Sequence, residues 1–209
     1  MRHSSATAHT AAFGIRSHSG WATLVAVAGD PLAPEVLLRR RIEIASLSIE
    51  GSRQPYHAAE GLGLAAAEKL IRRCEEGSRR LALAALRAAI AEVEAGGHVV
   101  GGCALLLSSG RPLEDLADTL ASHAKIHTAD GEHFRDAIAR AAGQCGLHIT
   151  KVRERDAWET AAGKLNVPVE AFQRRIVSLG KTVGPPWRAD EKLATAVGCI
   201  ALASRPGRR

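Results

Sequence analysis

The sequence predicts an α/β fold: a three-stranded antiparallel meander continued by parallel strands, flanked by helices, with extra helices late in the chain. Three observations predict it. Residues 12–45 fall into short apolar segments separated by Gly- and Pro-containing turns. Residues 57–95 then change to apolar residues spaced three and four apart. A continuous apolar run, Val99 to Leu107, follows, the pattern of a strand covered on both faces.

Taken in order, a strand is expected over 12–16 and another over 20–28, joined by the polar turn Ser17–Ser19. Residues 29–34 form a turn-rich link. A third strand, 35–45, places Val36, Leu38, Arg40, Ile42 and Ile44 on one side. A polar loop over 46–56 ends in Gln54, Pro55 and Tyr56. In the helix over 57–95, Ala67, Leu70, Ile71 and Cys74 share a face, as do Leu83, Leu86, Ile90 and Val93. Gly77-Ser78 is expected to kink or split it, and Gly96-Gly97 to end it.

After the strand over 98–107, the segment from Ser108 to Pro112 leads into a helix over 113–126. A second helix, 131–144, is expected to start at an Asp130 cap and to bury Phe134, Ala137, Ile138 and Ala141. A short strand over 146–152 and helices over 155–164, 168–179 and 188–203 complete the order β-β-β-α-β-α-β-α. Pro168 fits a first helical turn, Gly180 a helix end, and Pro185-Pro186 separates the last two helices. The organisation is a flexible leader (1–11), a single α/β domain (12–204) and a basic tail (205–209).

Hydrophobic residues make up 46% and charged residues 24% of 209, an ordinary soluble balance. Aromatics, at 3%, are too few for a base-stacking platform. The net charge of +6 permits phosphate-rich partners without demanding them. Cys74, Cys103, Cys145 and Cys199 form no CxxC pair and read as buried free thiols, which suits a reducing cytoplasm. No apolar run reaches signal-peptide length or the roughly 20 residues of a membrane span. A cytoplasmic location is the expectation.

Gly14-Ile15 and Gly20-Trp21-Ala22 near the start, with Asp190-Glu191 opening the Ala-rich last helix, carry a resemblance. The chain resembles the ribonuclease H-like superfamily, in its Holliday-junction-resolvase branch. That resemblance implies a mixed sheet and carboxylates on strand one, strand four and the last helix holding two Mg²⁺ ions. Here Arg16 stands at the strand-one position, residues 98–107 contain no acid, and only Asp190 and Glu191 remain. A guanidinium repels Mg²⁺, so the fold is expected without ordinary two-metal nuclease catalysis. Acids in a first helical turn also stabilise the helix dipole.

Polar residues at expected strand ends are the site candidates. Arg16, Ser19, Tyr56, Ser108, Ser109 and Arg111 are candidate ligand-binding residues, since small residues before a helix admit anions and arginine grips phosphate. His18 and His57 are candidates for metal-independent acid–base catalysis. His123 and His127, four apart, with Glu132 nearby, could hold a single divalent metal.

Three readings result. The first is a divergent ribonuclease H-like domain binding nucleic acid or another phosphorylated ligand. The second is a His-based or single-metal phosphoester hydrolase. The third is an interaction protein forming a homo-oligomer, with Leu193, Val197 and Ile200 as its face.

Overall fold

Alternation along the strands assigns the two faces of one sheet. The computed structural model describes residues 9–108 and 115–204. β1 (His9–His18), β2 (Trp21–Asp30) and β3 (Ala33–Glu43) pair antiparallel as the expected meander. β4 (His98–Leu107) lies parallel to β1, and β5 (His148–Arg153) parallel to β4. The sheet order is β3-β2-β1-β4-β5. Parallel pairs need helical crossovers. α1 (Pro55–Ala59) and α2 (Leu64–Ala95) connect β3 to β4, and α3 (Leu116–Leu120) and α4 (His123–Gln144) lie between β4 and β5. α5 (Ala157–Leu165), α6 (Val169–Val183) and α7 (Ala189–Ala203) end the described chain. The architecture is a mixed five-stranded sheet flanked by helices.

One face is the main core. Phe13, Ile15, Leu24, Leu38, Ile42 and Leu105 pack there against Leu86 and Val93 of α2 and Phe134 and Ile138 of α4. On the other face Ala104, Leu106 and Val152 pack against Phe172, Ile176, Val197 and Ile200 of α6 and α7. Thus β4 is apolar on both sides, as its unbroken run requires. No described helix is long and apolar enough to cross a membrane.

Gly14 sets how closely α7 can approach. A Cβ on Gly14 would lie 1.7 Å from the Ala194 carbonyl oxygen and 2.6 Å from the Gly198 amide nitrogen. A Cβ on Gly198 would in turn lie 3.0 Å from Val27. Helix and strand backbones therefore meet through two glycines with no side chain between them.

Several boundaries differ from the sequence expectation for packing reasons. β1 begins at His9 and pairs with His98, so residues 9–11 are strand and not leader. A bulge at Leu37 turns Val36 toward Val27 and away from the face that Leu38 occupies. α2 runs unbroken through Gly77-Ser78. Gly77 instead makes room for Ile49 and Ser46, which a Cβ would meet at 3.2 and 3.3 Å. The break between the two expected helices falls at 121–122, before His123, and not at 127–130, so Asp130 is buried within α4 and is no cap. Gly180 lies inside α6 because the Trp187 ring packs against it, and Gly184 (φ 76°) ends that helix instead. Cys145 is only half-buried, while Cys74, Cys103 and Cys199 are buried thiols; burial pushes Cys103 and Cys199 up to about 12.

At the α2–α4 contact, His133 Nε2 hydrogen-bonds Ser78 Oγ at 3.0 Å, while buried Nδ1 has no partner among the described residues. Burial, reinforced by Arg79 and opposed by Asp136, lowers its pKa to about 4. The folded state therefore holds His133 neutral where the unfolded chain would protonate it. Stability from this site is complete above the ordinary value of 6.5 and falls as pH drops from there toward about 4.

Two outcomes follow from this packing. Gly14→Ala should destabilise by at least about 3 kcal/mol in urea unfolding, because the clash is with helix backbone. His133→Gln should flatten the loss of unfolding free energy in urea between pH 7 and 5, by about 2 kcal/mol relative to the parent. Parallel curves for the two proteins would show that His133 does not set the acid limb.

Candidate functional site

The carboxyl ends of β1 and β5 meet the N-terminus of α7. Arg16, two residues from the end of β1, reaches across β4. Its Nε and Nη2 bind both oxygens of Glu154 at 3.1 and 2.6 Å, in a bidentate pair. Its Nη1 binds Asp190 Oδ1. Burial works against the charge of Arg16, but hydrogen bonds and the charges of Glu154 and Asp190 outweigh it and raise its pKa. The guanidinium thus stands between two carboxylates, where it repels a divalent cation instead of leaving room for one. Glu191 is committed locally: its Oε2 accepts the Arg188 N–H at 2.7 Å, closing the first turn of α7.

His18 Nε2 lies 3.2 Å from Asp190 Oδ2, outside hydrogen-bonding alignment. Burial lowers the pKa of His18; Asp190 pulls the other way and Arg16 adds to the lowering. The ring stacks on Trp21, with centroids 4.1 Å apart and planes 14° apart. Arg41, from β3, lies over the same indole at 4.0 Å. Since β2 runs between β1 and β3, Trp21 is held between His18 and Arg41.

Beside this stack is a groove of about 340 Å³ lined by Trp21, Thr23, Arg39, Arg41, Arg188 and Asp190, among others. Arg39 donates to the carbonyls of Gly184 (2.8 Å), Pro185 (3.1 Å) and Pro186, fastening the α6–α7 link to β3. Those partners are neutral, so no carboxylate among the described residues pairs with Arg39. Arg41 pairs with Glu43 at 2.6 Å, and Arg188 is exposed at the groove edge. Asp190 is already answered by Arg16, and the remaining acid of the lining is Glu191, so four arginines, Arg39, Arg40, Arg41 and Arg188, outnumber the acids there, with Arg40 and Arg41 paired to Glu92 and Glu43.

A second cluster forms where α1 packs on α4. His57, His123 and His127 each place a ring nitrogen within 4.8 Å of the other two. His57 Nδ1 hydrogen-bonds the Asp130 carboxylate, which is buried and also accepts the Tyr56 N–H at 2.8 Å. His123 and His127 Nε2 atoms are 3.2 Å apart.

The candidates separate accordingly. His18 and His57 do not form one catalytic pair. His18 points to the α7 side of the sheet, while α1 sits with α2 and α4 on the other side. Glu132 does not join the histidines, because in a continuous helix it lies five residues, or about 140°, from His127. It instead binds Ser108 Oγ at 2.9 Å and Arg135 at 3.0 Å. Ser19 is exposed in the β1–β2 turn beside His18. Tyr56 packs edge-on against His133, with burial first and then Glu75, Asp130 and Asp136 pushing its phenol to about 12. Ser109 and Arg111 lie outside the described residues. Sequence reasoning missed Glu154, the Trp21–Arg41 contact and the role of Asp130. An acid directly after a strand end was the one available signal for Glu154.

Arg16→Ala leaves two half-buried carboxylates facing each other and should lower stability by about 1–3 kcal/mol in urea unfolding. Arg16→Lys should recover only part of this, since ammonium cannot grip Glu154 with two parallel bonds. Full recovery by lysine would mean that charge alone matters there.

No protein-family model matches the chain, and no curated protein matches it. Among solved structures, it is similar to Thermus thermophilus RuvC in complex with a Holliday junction substrate, at 13% identity over 91% of each chain with a TM-score of 0.49. It is likewise similar to another T. thermophilus RuvC structure, at 12% identity, over 91% of this chain and 92% of that one, again with a TM-score of 0.49.

Proposed function

We propose that the chain binds the sugar–phosphate backbone of nucleic acid along the groove of Arg39, Arg41 and Arg188, as a ribonuclease H-like domain without two-metal nuclease catalysis. One observation carries the reading: Arg16 satisfies Asp190 and Glu154, so that Asp190 no longer offsets the arginines lining the adjacent groove. Phosphate contacts of this kind position a strand without reading bases. Trp21 supports the same view, because His18 and Arg41 flank its ring and leave it no free face for a base. Binding is therefore salt-dependent and largely indifferent to sequence.

The interaction-protein reading has less support. Val197 and Ile200 are core residues and Leu193 packs against them, so that stripe of α7 is not a free face.

The test is fluorescence anisotropy with labelled mixed-sequence single- and double-stranded oligonucleotides between about 50 and 200 mM salt. Arg41→Ala with Arg188→Ala should weaken binding about tenfold or more and reduce the log–log salt slope by about 2. Binding untouched by this pair, but lost when residues 205–209 are removed, would assign it to the tail and overturn the groove. Incubation with Mg²⁺ or Mn²⁺ should leave the strands uncut; cleavage abolished by Asp190→Asn would overturn the non-catalytic half of the proposal.

A further inference from the structure

The histidine cluster lies apart from the groove, on the opposite side of the sheet, and nucleic-acid binding does not use it. We propose that His57, His123 and His127 bind one divalent transition metal of the zinc class through three imidazole nitrogens, with water completing the coordination.

Four features of the cluster support this. His57 has a fixed tautomer: a buried carboxylate can only accept, so Nδ1 carries the proton and the Nε2 lone pair is left for a ligand bond. Orientation of a ligating imidazole by a carboxylate is the usual outer shell of a zinc histidine. Asp130 is itself held by the Tyr56 amide, so this shell is built into the α1–α4 contact.

The spacing also fits. Two nitrogens at 2.0–2.1 Å from a tetrahedral metal are about 3.3 Å apart. His123 and His127 Nε2 are at 3.2 Å, a distance set by one helical turn. The widest pair, within 4.8 Å, must close by at most about 1.5 Å, which side-chain rotation of the exposed His123 and His127 can supply.

Ring planes are crossed instead of stacked. The three pairs have centroids 4.5–5.2 Å apart and interplanar angles of 66–89°. Packing for apolar contact does not call for three imidazoles turned edge-on to one another. Glu60 lies 4.0 Å from His123 Nδ1, a second carboxylate on the outer side of the cluster.

Imidazole nitrogens suit zinc, copper, iron and nickel, and disfavour Mg²⁺ and Ca²⁺, which take oxygen. Three protein ligands leave a fourth position, and the exposure of His123 and His127 opens it to solvent. His57 also lines a neighbouring open cleft of about 520 Å³ with Glu50, Arg53 and Gln54.

The test is calorimetric titration of the full, untagged chain with Zn²⁺, with Co²⁺ absorption as a second readout. One equivalent should bind, and Co²⁺ should give the intense visible bands of a four- or five-coordinate site. His123→Ala and His127→Ala should each weaken binding about a hundredfold, and Asp130→Asn about 10–100-fold. His148→Ala should change nothing. His123 and His127 are exposed, so their variants should fold like the parent, as judged by circular dichroism, even if His57→Ala does not. Absence of stoichiometric binding would overturn the proposal. So would binding that survives the His123→Ala/His127→Ala double substitution, which would place the metal on other histidines such as His3.

Discussion

The contact between α7 and the backbone of β1 at Gly14 is the constraint on which the α7 side of the molecule depends. It fixes the register of the helix on the strand, and the register fixes the chemistry. From Gly14 to Arg16 the strand advances about 6.6 Å. From Ala194 back to Asp190 the helix retreats about 6 Å. The helix runs antiparallel to β1, so these steps point the same way and bring Asp190 to Arg16. A side chain at Gly14 would lift α7 and separate the pair. The α6–α7 link, which Arg39 fastens to β3, would move with it.

Charge at the strand ends follows from that register. Asp190 and Glu154 come together from α7 and from the turn after β5. Two half-buried carboxylates facing one another need a cation, whether a metal ion or a protein group. Arg16 supplies it covalently and permanently, with a pKa raised above its ordinary value. A resident guanidinium needs no ion from solution but cannot activate a water molecule as a metal does. The same pairing removes Asp190 as competition for the arginines of the groove, so neutralising the carboxylates and freeing the basic groove are one structural act.

The sheet was legible in the sequence because strand burial is written locally. The apolar run of β4 named a strand covered on both sides, and the alternating segments before residue 45 named the meander. Boundaries failed where tertiary packing outweighs local preference. Asp130 reads as a helix cap, yet the helix continues through it, and its carboxylate is bound by His57, a partner that no local pattern displays. Gly77 reads as a break, yet serves as a recess for Ile49. The candidate residues show the same division. Arg16, His18, His123 and His127 stood out by type and position. Their grouping did not, since it depends on which side of the sheet each element lies. Glu132 was chosen over His57 because proximity in sequence was the only distance available.

That division by the sheet also explains why two sets of histidines behave differently. His18 is the last residue of β1, directed at α7 and stacked on Trp21, where burial disfavours its charge. A neutral ring there spares Arg16 a second cation at close range and backs the Trp21 indole that lines the groove. His57 instead belongs to a helix packed on α4, where a buried acid fixes one nitrogen and leaves the other for a ligand. The sheet lies between the two. The sheet keeps the two histidines apart, so they are not one acid–base pair across a shared substrate. What the topology permits is a basic surface on one side of the sheet and a nitrogen-rich centre on the other, each able to be altered without disturbing its opposite.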